Sequence, residues 1–218
     1  LVPKKENYNM TAHEMAKVIL EGVKSLKPKK DRNLIAIAGP PGSGKSTVAE
    51  IVTDLMNENL MKTSLVPMDG FHLDNKTLER KNLLDRKGSP ETFDLKGFTE
   101  LIKKLRYNKN LSVPLFDRTL DEVIQNSRKI PSNHEYIVIE GNYLLLKKES
   151  WQDLCSYWDY SVFLSVDNTV LKLRLIKRWL SQNHTHSEAE TRVMKNDLVN
   201  ANLVNLNRIK AVLELKSG

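Results

Sequence analysis

Eight consecutive residues, Gly39-Pro40-Pro41-Gly42-Ser43-Gly44-Lys45-Ser46, restrict this chain more than any other stretch. They fit the spacing G-x-x-x-x-G-K-[ST] of a phosphate-binding loop. The motif has meaning only between a strand and a helix, and both neighbours are there. The run 34–38 is short and apolar, and residues 46–57 carry Val48, Ile51, Val52 and Leu55 at helical spacing. Glycines let the backbone curl until successive N–H groups converge on phosphate oxygens, and the helix N-terminus adds a favourable field. Lys45 then places a point charge on the β- and γ-phosphates, the Ser46 hydroxyl suits magnesium, and Thr47 is in reach of the α-phosphate. The expectation is a nucleoside triphosphate bound with magnesium (Mg2+).

The rest of the chain alternates in the same way. Met15, Val18, Ile19, Gly22, Val23 and Leu26 recur at helical spacing over 11–26, with Pro28 and neighbouring charges as the stop. Residues 64–68, 136–140 and 160–166 read as strands, and 94–107, 170–180 and 188–197 as helices. Residues 113–118 and 122–130 suit a hairpin, and 209–215 a last strand. The polar stretch 71–93 is too long for an idle connector and reads as a functional loop. Strands alternating with helices imply an α/β fold, a three-layer sandwich around a parallel sheet of about five strands.

Composition narrows the class. Forty per cent of the 218 residues are hydrophobic, and no apolar run approaches a membrane span, so a soluble globular chain without a membrane partner is expected. The net charge of +7 favours anionic partners. The charges are spread out, with no basic tract interleaved with aromatics, which speaks against nucleic acid. Cys155 is the single cysteine and sits among Trp151, Leu154, Tyr157 and Trp158, as a packed structural thiol would. A lone cysteine fits a reducing compartment. The sequence starts at Leu1, with no apolar signal core after it, so the cytoplasm is the expected location. His184 and His186 have no further ligands at zinc spacing.

A phosphate-binding loop needs a carboxylate at the end of a neighbouring strand, and there are two. Glu140 closes the run 136–140, and Asp69 follows the run 64–68. In an open α/β sheet, ligands collect at that end of the strands. One carboxylate would orient magnesium and the other would accept a proton from an attacking hydroxyl; these residues alone leave open which does which.

Together, Gly39 to Ser46, Met68-Asp69-Gly70-Phe71-His72, Arg86-Lys87-Gly88-Ser89-Pro90-Glu91-Thr92-Phe93-Asp94, Phe116-Asp117-Arg118 and Glu140-Gly141 resemble the P-loop kinase family of uridine kinase, phosphoribulokinase and bacterial pantothenate kinase. The closest likeness is to its bacterial fructose kinase-like or uridine kinase-like subgroup, from about residue 35 to the end. The resemblance implies the P-loop NTPase fold and one kinase domain over 1–218, with an N-terminal helix in 1–30, acceptor-side loops at about 71–93 and 108–131, and a lid at about 174–197. It implies ATP and magnesium as cofactors and a small-molecule substrate; a homo-oligomer is compatible with it. Asp69 matches the base, Glu140 the magnesium-holding acid at the acceptor end, Phe93 and Asp94 the segment closing the acceptor pocket, and Asp117 and Arg118 its lining. Phe116 stands where the family has tyrosine.

Arg86 and His72 are further candidates for substrate contact. Arg174 and Arg178, one helical turn apart, are expected to share a face and reach the transferring phosphoryl group, with Arg192 beyond them. Asn196, Asp197, Asn200 and Asn202 match an Asn-Asp repeat of the subgroup, which implies either a place near the nucleotide base or, equally, helix-cap and turn roles. Phe71, Phe93 and Phe116 offer a uracil sandwich. The leading expectation is a kinase for a hydroxyl-bearing metabolite, fructose-like first, nucleoside or pantothenate next. A nucleotide-hydrolysing switch and a nucleic-acid-binding ATPase are the rival classes.

Overall fold

The computed structural model describes residues 10–26, 29, 31–107 and 109–218; Pro28, the expected stop of the first helix, lies outside them. Helix α1 (Ala12–Lys24) opens on a reciprocal capping box between Thr11 and Glu14. Strand β1 (Asn33–Ala38) follows, then α2 (Lys45–Glu58) and β2 (Thr63–Pro67). The stretch 71–93 is ordered around α3 (Asn75–Arg80), whose N-terminus Asp74 caps. Next come α4 (Leu95–Leu105), the antiparallel hairpin of β3 (Leu111–Asp117) and β4 (Glu122–Ile130), β5 (Tyr136–Gly141) and β6 (Tyr160–Ser165). Helices α5 (Asn168–Leu180), α6 (His186–Arg192) and α7 (Leu198–Leu206) precede β7 (Leu213–Lys216).

Five strands pair in the order β2-β5-β1-β6-β7, every pairing parallel. Strand β1 is buried at all six positions because both faces of the sheet are covered. Its side chains alternate between two cores. Ile35 and Ile37 meet Met15, Ile19, Val48 and Val52 of α1 and α2, while Leu34 and Ala36 meet the cluster of Phe98, Ile102, Tyr143 and Phe163. Each fully buried aliphatic side chain there contributes about 1.5–3 kcal/mol. The three-layer sandwich expected from the alternation is present.

Two elements differ from their sequence reading. The last strand starts at Leu213, because the Ile209 N–H is already taken by the Leu145 carbonyl at 2.8 Å. The helix expected to end at 197 continues as α7 through a π-turn, Val193–Asp197. Its asparagine-rich sequence suggested caps and turns, but Asn200 is buried and packing outweighs the weak helix propensity.

The hairpin is anchored to the sheet by Arg32, fully buried, which donates to the carbonyls of His134, Lys109 and Pro131 at 2.9, 2.9 and 2.6 Å. At its other end the hairpin lies on the 3-10 turn Met68–Phe71. A Cβ on Gly70 would stand 2.4 Å from the Pro114 carbonyl oxygen. Backbone cannot yield as a flexible side chain can, so Gly70→Ala is expected to cost about 2 kcal/mol, some 4–8 °C in melting temperature for a chain of this size. Thermal unfolding by circular dichroism checks it; an unchanged melting temperature would mean the hairpin does not press on this turn.

Candidate active site

The strand order places three chain segments side by side at the carboxyl edge of the sheet. Glu140 of β5 pairs in register with Pro67 of β2 on one side and Ile37 of β1 on the other. The turn carrying Asp69 therefore emerges on one flank of Glu140, and the loop 39–44 on the other. Gly42 and Gly44 have φ of 79° and 83°, left-handed values that glycine adopts without strain. Gly44 caps α2 without a side-chain hydrogen bond and has open space around it, so the first N–H groups of the helix face a clear cradle.

Charge is concentrated beneath this cradle. Lys45 is 9% exposed and Glu140 4%. Burial lowers the Lys45 ammonium pKa, against the pull of Glu140 and Asp69. Burial raises the Glu140 carboxyl to about 7, against Lys45 and with Asp69 adding to the rise; Ser46, within hydrogen-bonding reach, lowers it. Asp69 behaves oppositely. Its packed surroundings push its pKa up, but His72, Arg118, Lys45 and Arg178 outweigh them and hold it below its ordinary value. The Arg118 guanidinium lies 3.1 Å from Asp69 Oδ2. Burial drives His72 itself down to about 4, so at neutral pH that ring is uncharged and the lysine and arginines keep Asp69 ionised.

Beyond Asp69 opens a cavity of about 510 Å³. His72 stacks on Phe93 at 4.1 Å between ring centroids and leans on Phe116 at 4.9 Å, making an aromatic wall. The loop carrying Phe93 is held by Tyr143, whose hydroxyl donates to the Gly88 carbonyl at 2.6 Å. Of the expected residues, Pro41, Lys45, Asp69, His72, Phe93, Arg118 and Arg178 all line this cavity.

Others are elsewhere, each for a local reason. Arg174 turns away from Arg178 despite their spacing; its guanidinium donates to the Gly42 carbonyl and Ser217 Oγ, both at 3.3 Å. It lines a second hollow of about 280 Å³ with Gly42, Gly44 and Thr47. Asp94 caps α4, accepting from the Gly97 N–H at 2.9 Å. Asp117 is taken by the hairpin turn, accepting from the N–H groups of Thr119 and Leu120 at 2.8 and 3.0 Å. Arg86 donates to the Lys195 carbonyl at 3.0 Å and Asn200 Oδ1 at 3.4 Å, tying the loop to the lid helices. The uracil sandwich is not available: Phe71 packs on Phe98 in the core and a face of Phe93 is covered by His72.

The sequence reading also missed residues. Asp197 and Asn200, placed near the base, line the cavity beside Asp69, and Asn196 donates to the Lys87 carbonyl at 2.8 Å. Lys87, Asp121 and Asn142 line it too. Asn142 had a usable signal, since it directly follows the strand that ends in Glu140-Gly141. Among the described residues no cluster of three or more His, Cys, Asp or Glu is placed to hold a metal, and no helix is long and apolar enough to cross a membrane.

This geometry has relatives. The profile of the phosphoribulokinase/uridine kinase family matches residues 34–197. A Schizosaccharomyces pombe protein provisionally named a uridine kinase is 32% identical over 190 residues, 83% of this chain and 81% of that one. A Listeria monocytogenes pantothenate kinase is 30% identical over 82% of this chain but only 60% of its own length. The crystal structure of a provisionally named fructose transport system kinase from Silicibacter sp. TM1040 superposes with a TM-score of 0.87 at 40% identity, over 94% of this chain and 99% of that one. With the phosphate cradle, the flanking carboxylates and this extent of similarity together, the chain belongs to the phosphoribulokinase/uridine kinase family of small-molecule kinases.

Proposed function

We propose that the chain transfers the γ-phosphate of ATP to a hydroxyl of a small polar metabolite, a fructose-like sugar first and a nucleoside or pantothenate as alternatives. The observation that carries this is the position of Asp69, held ionised at the junction between the phosphate cradle and the aromatic-walled cavity. A carboxylate there can take the proton from an acceptor hydroxyl as its oxygen bonds to the γ-phosphorus and the bond to the β-γ bridging oxygen breaks. Lys45 and Arg178 balance the charge that moves. Arg118 orients Asp69. The helices between 174 and 197 act as the lid, and the hollow beside Gly42, Gly44 and Arg174 takes the nucleoside part. The sugar preference rests on 40% identity to the Silicibacter protein and on that protein's name.

Magnesium fits the residues present. Glu140 is a carboxylate buried beside Ser46 with its pKa raised, a group that a divalent cation would return to its charged form. Few protein ligands are needed, because magnesium in kinases keeps waters and phosphate oxygens in its shell. Ser46 and Glu140 would hold it, and it would neutralise charge between the β- and γ-phosphates. The single Cys155, partly buried, suits a reducing, cytoplasmic setting.

Asp69→Asn is expected to lower kcat by about a hundredfold or more while the KM for ATP stays within about twofold. A coupled ADP-release assay across sugars, nucleosides and pantothenate measures both; normal turnover in the variant would remove Asp69 from the role of base. Glu140 gives a second expectation. Its folded pKa is raised, so the stability it contributes is full below about pH 4.5 and is lost as pH rises through about 7. Without nucleotide, Glu140→Gln should therefore melt above the unmodified protein at pH 8, the gap narrowing toward pH 5. The variant should also gain less from added ATP and magnesium. A gap independent of pH would show that Glu140 is not the titrating group.

A further inference from the structure

The cavity beyond Asp69 carries a charge pattern that phosphoryl transfer by itself does not require. The cations beside Asp121 and Asp69 are already paired. Lys87 Nζ lies 2.8 Å from Asp121 Oδ2 and 2.7 Å from Asn75 Oδ1. Arg118 is committed to Asp69 at 3.1 Å. Arg192 lies over the Trp179 ring, 4.8 Å from its centroid, and its charge acts on Asp197. The remaining pair, Lys45 and Arg178, belongs to the phosphate end. His72 is uncharged at neutral pH.

What the cavity leaves open is hydrogen-bond acceptor capacity. Asn142 Oδ1 is buried with no partner among the described residues. Asp197 Oδ2 accepts the Trp179 indole N–H at 2.6 Å, and among the described residues no hydrogen bond occupies its second oxygen. The π-turn is what aims this carboxylate. In a regular α-helix, residues five apart sit about 140° from each other; a π-turn closes that angle, so Arg192 and Asp197 share one face and both line the cavity. A buried acceptor without a donor, as Asn142 Oδ1 is, is unfavourable until a ligand supplies an O–H or N–H group.

We propose that the phosphate acceptor is a neutral polyhydroxylated molecule whose hydroxyls donate to Asp197 and Asn142, and that acceptors bearing a phosphate or carboxylate are excluded. The proposal rests on the kinase reading above and deepens it. The wall of His72, Phe93 and Phe116 offers apolar surface to the C–H side of such a molecule, as polar-ligand pockets commonly do. An anionic group beside Asp121 or Asp69 would have to pull Lys87 or Arg118 from its carboxylate, leaving that carboxylate facing it as a like charge. Specificity built by such repulsion discriminates more sharply than attraction alone.

The test compares kcat/KM by ADP release for D-fructose, mannitol and uridine with fructose 1-phosphate, fructose 6-phosphate, gluconate and pantothenate, at fixed ATP and magnesium. The expected result is that a neutral member exceeds every anionic one by at least a hundredfold. An anionic member as the better substrate overturns this proposal while leaving the kinase reading in place; stimulation by none of them overturns both. Asp197→Asn and Asn142→Ala should each raise the KM for the neutral acceptor at least tenfold, with kcat, the KM for ATP and the melting temperature little changed. Asp197→Asn should also narrow the gap between neutral and phosphorylated acceptors. Unaltered acceptor KM in both variants overturns the assignment of these residues, and unaltered melting temperatures ensure that the loss is not one of folding.

Discussion

Lys45 and Glu140 are buried close together under the phosphate loop, each acting on the other's ionisation, and the arrangement of the whole carboxyl edge depends on that burial. Their proximity follows from adjacency of β5 and β1 in the sheet, with Glu140 in register with Ile37. Asp69 is a third member, brought in by β2 on the opposite side of β5. The three differ in environment. Glu140 is driven toward neutrality, while Asp69 opens partly to the cavity and meets Arg118, so it stays charged. Two carboxylates a strand apart are thereby separated in chemistry.

The two halves of the proposed site, phosphate and acceptor, are built by different means. The phosphate half is mostly main chain: left-handed glycines and the open first turn of α2. The acceptor half is side chains borne on elements that are not neighbours in sequence. The loop 71–93, the hairpin of β3 and β4, and the lid helices meet there, joined by Arg86 to Lys195 and Asn200 and by Asn196 to Lys87. Such a half can be retuned without disturbing the first, which is consistent with relatives named for uridine, pantothenate and fructose sharing one scaffold.

Where the sequence was misleading, a local interaction had claimed the side chain. Asp94 and Asp117 look like acceptor ligands by motif, yet each follows the common habit of aspartate at a helix start or turn and binds backbone N–H groups nearby. Arg174 and Arg178 obey helical spacing, but long side chains one turn apart can point into different hollows, and these do. The place of Asp197 in the cavity beside Asp69 was not legible, because a π-turn cannot be read from periodicity and one extra residue rotates everything after it.

By itself the sequence determined the phosphate loop, the alternation of strands and helices around it, and the two acids at strand ends. All of these are encoded in short stretches where local backbone conformation and hydrophobic period decide the outcome. Tertiary structure alone decided which acid stays charged, which arginine lines the cavity, and which residues enclose it. Those properties depend on desolvation and on pairing across distant segments, such as Arg118 with Asp69 or Trp179 with Asp197, and no window of sequence contains both partners of such a pair in their final setting.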